Sequence, residues 1–370
     1  MKSMITTGLV GVAFGAALVS ANVAASTTLS YGSYVSRSHT LNADAVGPFF
    51  EAVEQETNGS LRFRLHTDGT VVGPRNALSG IGDGVVDMAL VVDVYVPSTV
   101  PTNATLSELA LFPADTLAGA AAVTEMTLLH CEECVDDWHQ AGVQPLGFYS
   151  TAPYHLMCRT EVKDLRTARG KRVRAATAWA GWTAAMGAVP VNISSGEMYE
   201  AMSRRSVDCG LGATAWLDSY GLSDVVTHVL DLGIGAYRGG HFMNMNLEKW
   251  NGLSDDERAA FLKHLPLAVA RAAIAYDHDS EVALENAREK GITIVEPGQD
   301  LIDRYDELLQ TERERVIETG RERGLSDPEA LVDKYVELLE KWEAIVADLD
   351  GSEEAFAAEL DRHIFQKADL

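Results

Sequence analysis

The sequence predicts an α/β protein of two lobes, each a mixed sheet flanked by helices. Three observations predict it. Removing an export leader of 25 residues from 370 leaves about 345, more than one hydrophobic core usually organises. From Thr27 to Val92 strand-like and helix-like segments alternate, and a second alternation of the same kind begins near Gly147; that order builds α/β lobes. Finally, "ALSGIGDGVVDMAL" (77–90) and "EMYEAMSRRSVDCGL" (197–211) share one plan of helix, short polar turn, Val-Asp and small apolar strand.

Residues 1–25 read as a signal peptide. Lys2 precedes the uncharged run "MITTGLVGVAFGAALVSA", and Val23 and Ala25 occupy the −3 and −1 positions of a cleavage site that leaves Ser26 first. No later segment reaches the ~18 uncharged apolar residues of a membrane helix, so an exported, periplasmic chain is expected. The chain carries 54 acidic and 30 basic side chains, a net charge of −24, or −25 without Lys2. That balance argues against nucleic acid, whose phosphates need a basic face.

In order, "TTLSYGSYV" reads as a first strand, and "LNADAVGPFFEAVEQETNG" as a helix with Phe49, Phe50 and Val53 at helical spacing. "SLRFRLHTDG" alternates Leu61, Phe63 and Leu65 and closes on Asp-Gly, a strand. A short helix, a turn and a buried strand follow to Val92. "AAAVTEMTLLHCEECVDDWHQAG" reads as one helical run. In the second pass "GFYSTAPYHLMCRT" is extended, "KRVRAA" a strand, "WAGWTAAMGA" a helix and "VPVNI" a strand. "SSGEMYEAMSRRS" is then a helix capped by Ser194 or Ser195, and "VDCGLG" a buried strand. From Ser254, a capping box with Glu257 opens a helix of about 35 residues, with Pro266 marking a kink or break. Charged amphipathic helices run from Asp300 to Gly351 and from Glu353 onward.

The four cysteines are Cys131, Cys134, Cys158 and Cys209. "HCEEC" admits zinc, with His130 and His139 nearby, or a redox pair, but an exported chain favours structural disulfides. Cys131–Cys134 and Cys158–Cys209 is the expected pairing, one of three connectivities. No GxSxG, HExxH, P-loop or strand-linked GxGxxG is present, and His66, His155, His228 and His241 lack metal-site spacing. The 12-residue calcium loop is absent too. No catalysis, cofactor or metal is expected; the visible chemistry is recognition.

Six of the twelve residues from Lys163 to Arg174 are basic, and Trp179 and Trp182 follow. The bases before the strand read as surface charge. In "KRVRAA" the alternation sets Val173 against Arg172 and Arg174. Open α/β sheets bind ligands where strands give way to helices, and an arginine there offers a planar fork for a carboxylate. Arg174 is either that fork or half of an internal ion pair. Trp179 and Trp182, at i and i+3, share a helix face as core or as ligand wall.

The order "VKDLRTARGKRVRAATAWAGWTAAMGAVPVNISSGEMYEAMSRRSVDCG" resembles the central block of the DctP-type solute-binding proteins of tripartite ATP-independent periplasmic (TRAP) transporters. Gly170–Arg174, Met186–Val191 and Glu197–Asp208 fill that family's G-x-K-I-R, L-G-A-x-P-V and E-x-Y-x-A-L-x-x-G-x-V-D places. "SRRSVDC" departs where members show glycine. "FFEAVEQETNG", "GDGVVDMAL" and "NLEKWNGLSDDERAAF" match further family elements in order. The resemblance implies a type II-like periplasmic-binding-protein clamshell with a long helix spanning both lobes. Lobe I would take 26–152 and about 274–315, lobe II 153–273 and about 316–370.

It also implies a small organic acid ligand, a carboxylate or a comparable sulfonate, passed to TRAP membrane permease subunits by a monomeric receptor. The family's carboxylate-binding arginine falls on Arg174, a second arginine is nearest Arg159, and its asparagine is matched by Asn246 or Asn244. Trp216 and Tyr220 fall where members line the cleft. Strand ends alone add Tyr31, Tyr34, His39, Asp93 and Tyr95 as wall candidates. The clustered Trp and Tyr point to an aromatic acid. Two alternatives stand beside this one: a periplasmic redox enzyme using Cys131 and Cys134, and a ligand-sensing clamshell feeding a signalling partner.

Overall fold

Twelve strands and a largely helical C-terminal third build the chain, whose computed structural model describes residues 26–370. The leader expected over 1–25 and its cleavage site lie outside the described residues. Among those described, no helix is long and apolar enough to cross a membrane, and no cluster of three or more His, Cys, Asp or Glu is placed to hold a metal.

The strands are β1 (Thr27–Gly32), β2 (Leu61–His66), β3 (Met88–Ala89), β4 (Val91–Val92), β5 (Val143–Ser150) and β6 (Tyr154–Cys158), followed by β7 (Arg172–Arg174), β8 (Val189–Val191), β9 (Cys209–Ala213), β10 (His228–Leu230), β11 (Arg238–Asn246) and β12 (Thr293–Val295). β1 lies between β2 and β3, parallel to both. The helix Gly47–Glu56 buries Phe49, Phe50 and Val53 against this sheet, and Phe50 stacks on Phe63 with centroids 4.2 Å apart. This is the parallel β-α-β order that the alternation predicts. The second lobe holds a six-stranded mixed sheet in the order β12-β10-β6-β9-β7-β8.

A third sheet, β4-β11-β5, is antiparallel. β11 carries the chain back from the second lobe into the first, and every residue in it is buried. With both faces covered it has no period-2 pattern, so the sequence does not announce it. This pairing moves 238–246 out of the expected lobe II, and β12, paired with β10, moves 293–295 out of the expected lobe I. The helix Pro328–Ala347, expected with lobe II, packs on Thr116–Glu125 of lobe I, where Trp342 Nε1 donates to Glu125 at 2.6 Å. Amphipathic helices declare that one face must be buried, not against which partner.

Two crossings join the lobes side by side. Thr151 N–H donates to Tyr237 O at 3.0 Å, and Tyr154 N–H to Gly235 O at 2.8 Å. The helix Asp255–Glu289 runs across both lobes, about 52 Å at 1.5 Å per residue. Ser60 donates to Glu257 near one end, while Thr214 donates to Ser280 O farther along. The capping box is formed: Ser254 Oγ accepts from Glu257 N–H and the Glu257 carboxylate accepts from Ser254 N–H. Pro266 lies inside the helix without ending it.

Both expected disulfides are present. Cys158 and Cys209 are register partners on β6 and β9. The run expected as one helix through "HCEEC" is divided: Thr116–Glu125 continues as a π turn to His130, and Cys131 then caps a new helix, Glu132–Gln140. Its Sγ accepts from Cys134 N–H.

Candidate ligand-binding site

Arg174 ends β7, between β8 and β9, with the helix Ala178–Ala185 beginning four residues on. Arg172, at the outer end of the strand, is exposed and pairs with Asp208 at 3.1 Å. Arg174 is only 3 % exposed and has no carboxylate partner among the described residues. Its Nε donates to Ile193 O, its Nη1 to Leu211 O and its Nη2 to Tyr95 Oη, each at 3.0 Å. A guanidinium has five N–H donors, so one remains on each terminal nitrogen. The Trp216 ring lies 5.7 Å from its Cζ.

These groups face a narrow cavity at the junction of the lobes. Tyr34, His39, Val92 and Tyr95 wall it from the first lobe; Arg174, Trp179, Ser195, Trp216 and Tyr220 from the second. Tyr149, Tyr154 and Tyr237 come from the crossings and Tyr276 from the long helix. The two lobes meet here through polar contacts. Tyr95 Oη accepts from both Arg174 and Ser195 N–H, the latter at 2.8 Å, while within the second lobe Ser195 Oγ is 3.0 Å from Tyr220 Oη. With both lone pairs engaged, the Tyr95 O–H is left as a donor.

Glycine makes the aromatic wall possible at one point. A Cβ on Gly212 would stand 2.1 Å from Trp216 Cε3, so only a bare backbone lets that ring lie on β9. Burial raises the phenols of Tyr34, Tyr149, Tyr220, Tyr237 and Tyr276 well above their usual range. Burial also pushes His39 down to about 3. The walls are therefore neutral, and Arg174 is the sole cation among the lining side chains.

Of the residues expected from sequence, Arg174, Trp179, Trp216, Tyr220, Tyr34, Tyr95 and His39 line one cavity. Trp182 is core, whereas Trp179 stacks on Tyr154 at 4.2 Å and donates Nε1 to Ile234 O. The structure places the others elsewhere. Arg159 follows β6 at the end opposite Tyr154, five residues or about 16 Å of strand from the cavity. Asn244 exchanges hydrogen bonds with the Ala89 backbone, and Asn246 caps the helix Leu247–Asn251 while donating to Ile81 O. Both are tethers of β11. Tyr31 donates to Phe242 O in the core.

Asp93 lies behind the wall, accepting from Ser107 Oγ at 2.6 Å and Tyr237 Oη at 2.7 Å. Burial pushes its carboxyl up to about 7, partly offset by those two bonds. Sequence reasoning missed Tyr149, Tyr154, Tyr237 and Tyr276, because aromatics within or beside strands and helices read as core. No local signal separates the two roles.

Residues 31–318 match the family model for bacterial extracellular solute-binding proteins, family 7 (DctP). The chain belongs to that family. Solved structures share the two-lobed fold at low identity. A TRAP solute-binding protein of an unidentified marine microbe, in complex with 3-hydroxybenzoate, is 22% identical, with TM-score 0.77 over 86% of this chain and 99% of that one. A Rhodoferax ferrireducens protein with copurified benzoate is 17% identical, with TM-score 0.76 over 87% and 100%. A Bordetella bronchiseptica protein with bound mandelate is 21% identical, with TM-score 0.73 over 85% and 99%. In this DctP-family member, Arg174 is the one cation among the residues lining the cavity.

Proposed function

We propose that this protein is the periplasmic solute receptor of a TRAP-type secondary transporter, exported by the leader ending near Ala25. It closes as a monomer around one small organic acid, with Arg174 as the carboxylate anchor. The observation that carries this is a buried guanidinium with two uncommitted N–H donors facing a neutral cavity. Leaving such a charge without a counterion is costly, and an incoming carboxylate offsets that cost through paired charge-assisted hydrogen bonds. The Tyr95 O–H gives a third donor from the opposite lobe, so one anion ties both lobes together and shifts the open–closed equilibrium toward closure.

The ring-lined walls favour a flat apolar body behind the carboxylate, an aromatic acid before a bare C4-dicarboxylate. Benzoate, 3-hydroxybenzoate and mandelate in the similar structures support that class. A melting-shift screen of ligand-free protein against carboxylic acids and their sulfonate counterparts tests the reading. A true ligand at a hundredfold excess over Kd stabilises by about 2.7 kcal/mol. Arg174→Ala should remove most of that shift while the unliganded variant still unfolds cooperatively. A variant that keeps the full shift places the anchor elsewhere.

A further inference from the structure

The cavity holds a further uncommitted donor besides Arg174 and Tyr95. His39 is 2 % exposed and contributes to the cavity wall. Its Nδ1 accepts from the Leu41 N–H at 3.3 Å. An imidazole nitrogen that accepts carries no proton, so the neutral ring has its hydrogen on Nε2. That N–H meets no acceptor among the described residues, and burial alone sets the ring's titration. A donor at a cavity wall with no protein partner is left free for a guest.

The loop around it is held firmly. Thr40 donates to Asp279 on the long helix at 2.6 Å, and Asn42 donates to Ser36 O at 2.8 Å and to Ser33 Oγ at 3.0 Å. The imidazole also stands apart from the guanidinium. Contacts run in series from Arg174 to the Trp216 ring (5.7 Å), from Trp216 to Tyr220 (5.2 Å) and from Tyr220 to His39 (5.3 Å). The two donors therefore address different parts of one guest.

We propose that His39 is a specificity-determining residue, its Nε2–H receiving a neutral oxygen that the ligand carries away from the carboxylate. This rests on the Arg174 reading above. The oxygen is a hydroxyl, ether or carbonyl and not a second carboxylate, because a neutral imidazole supplies no counter-charge. The ligand class becomes aryl carboxylates bearing such an oxygen on or near the ring.

Titration calorimetry on ligand-free protein tests it with matched pairs: benzoate against 3- and 4-hydroxybenzoate, and phenylacetate against its hydroxylated forms. In the wild type at least one hydroxylated acid should bind about tenfold tighter than its parent. That ratio should collapse toward one in His39→Phe and partly return in His39→Gln, whose amide N–H reaches about as far as Nε2. A purely structural histidine would weaken both members of a pair alike and leave the ratio intact. A second measurement needs no variant. In protein with ¹⁵N-labelled histidine, the His39 Nε2 resonance should move further with a hydroxylated acid than with its parent. A wild-type ratio near one, a ratio unchanged in His39→Phe, or equal resonance shifts overturns the His39 assignment and leaves Arg174 standing. If no carboxylate binds the wild type at all, the Arg174 reading itself falls.

Discussion

Two arginines among the described residues are buried without a carboxylate partner, and they differ in what they face. Arg238 donates to Leu109 O and Phe112 O inside the first lobe, and burial lowers its pKa. It faces packed protein. Arg174 lines the cavity with two N–H groups to spare, and the anchor proposal rests on that difference. Burial acts on a carboxylate at Asp93. Its folded pKa of about 7 lies above the 3.8 of an unfolded chain. Between those values the fold keeps a proton that the unfolded chain releases. Its contribution to stability is complete below about pH 4 and lost as pH rises to about 7. Asn at 93 cannot titrate, so the melting difference between wild type and Asp93→Asn should fall across that window and flatten above it. A difference constant from pH 4 to 8 would mean that Asp93 titrates normally. The Arg174 position was legible because a short strand, two basic residues and a following helix are local features. Asn244 and Asn246 were misplaced because a side chain's hydrogen-bond partner, here backbone at Ala89 and Ile81, is a distant piece of chain.

Among the elements, the turn Ser195–Glu197 is where the lobes clasp at the surface. Glu197 closes a capping box on Ser194 and also meets Arg75 of the first lobe at 3.4 Å, while the Arg75 guanidinium sits 5.9 Å over the Tyr95 ring. Both ends of that ion pair are more than half exposed, so its worth is small, about 0.2–1 kcal/mol. Arg75→Ala should weaken ligand binding by about two- to fivefold, chiefly through faster release, with the unliganded melting point nearly unchanged. Stopped-flow displacement reads this directly, and an unaltered release rate would remove the pair from closure. The long helix offers a stability counterpart: Ser254→Ala, which deletes its cap, should cost about 1 kcal/mol in denaturant unfolding. That cap was readable from Ser254 and Glu257 alone. The break at Cys131 was not, because a π turn followed by a cysteine cap leaves no mark in hydrophobic periodicity.

For the whole molecule, the geometry is that of two lobes joined by adjacent crossings at Thr151–Tyr154 and Gly235–Tyr237. Tyrosines flanking those crossings also wall the cavity, so bending at the joint and contact with the ligand involve the same rings. Closure in such an arrangement is a population shift whose size is set by how much better the closed form holds the acid.

By itself the sequence determined the α/β class, the two lobes, the Ser254 helix cap and the arginine at the end of a short strand. Each of these rests on spacing within a few residues or on a count over the whole chain. Only the tertiary structure decided which aromatics face a cavity and which fill a core, that β11 returns to the first lobe, and that the C-terminal helices pack there. Those outcomes depend on which buried surface meets which. A stretch with both faces covered carries no record of its neighbour in its own order of residues.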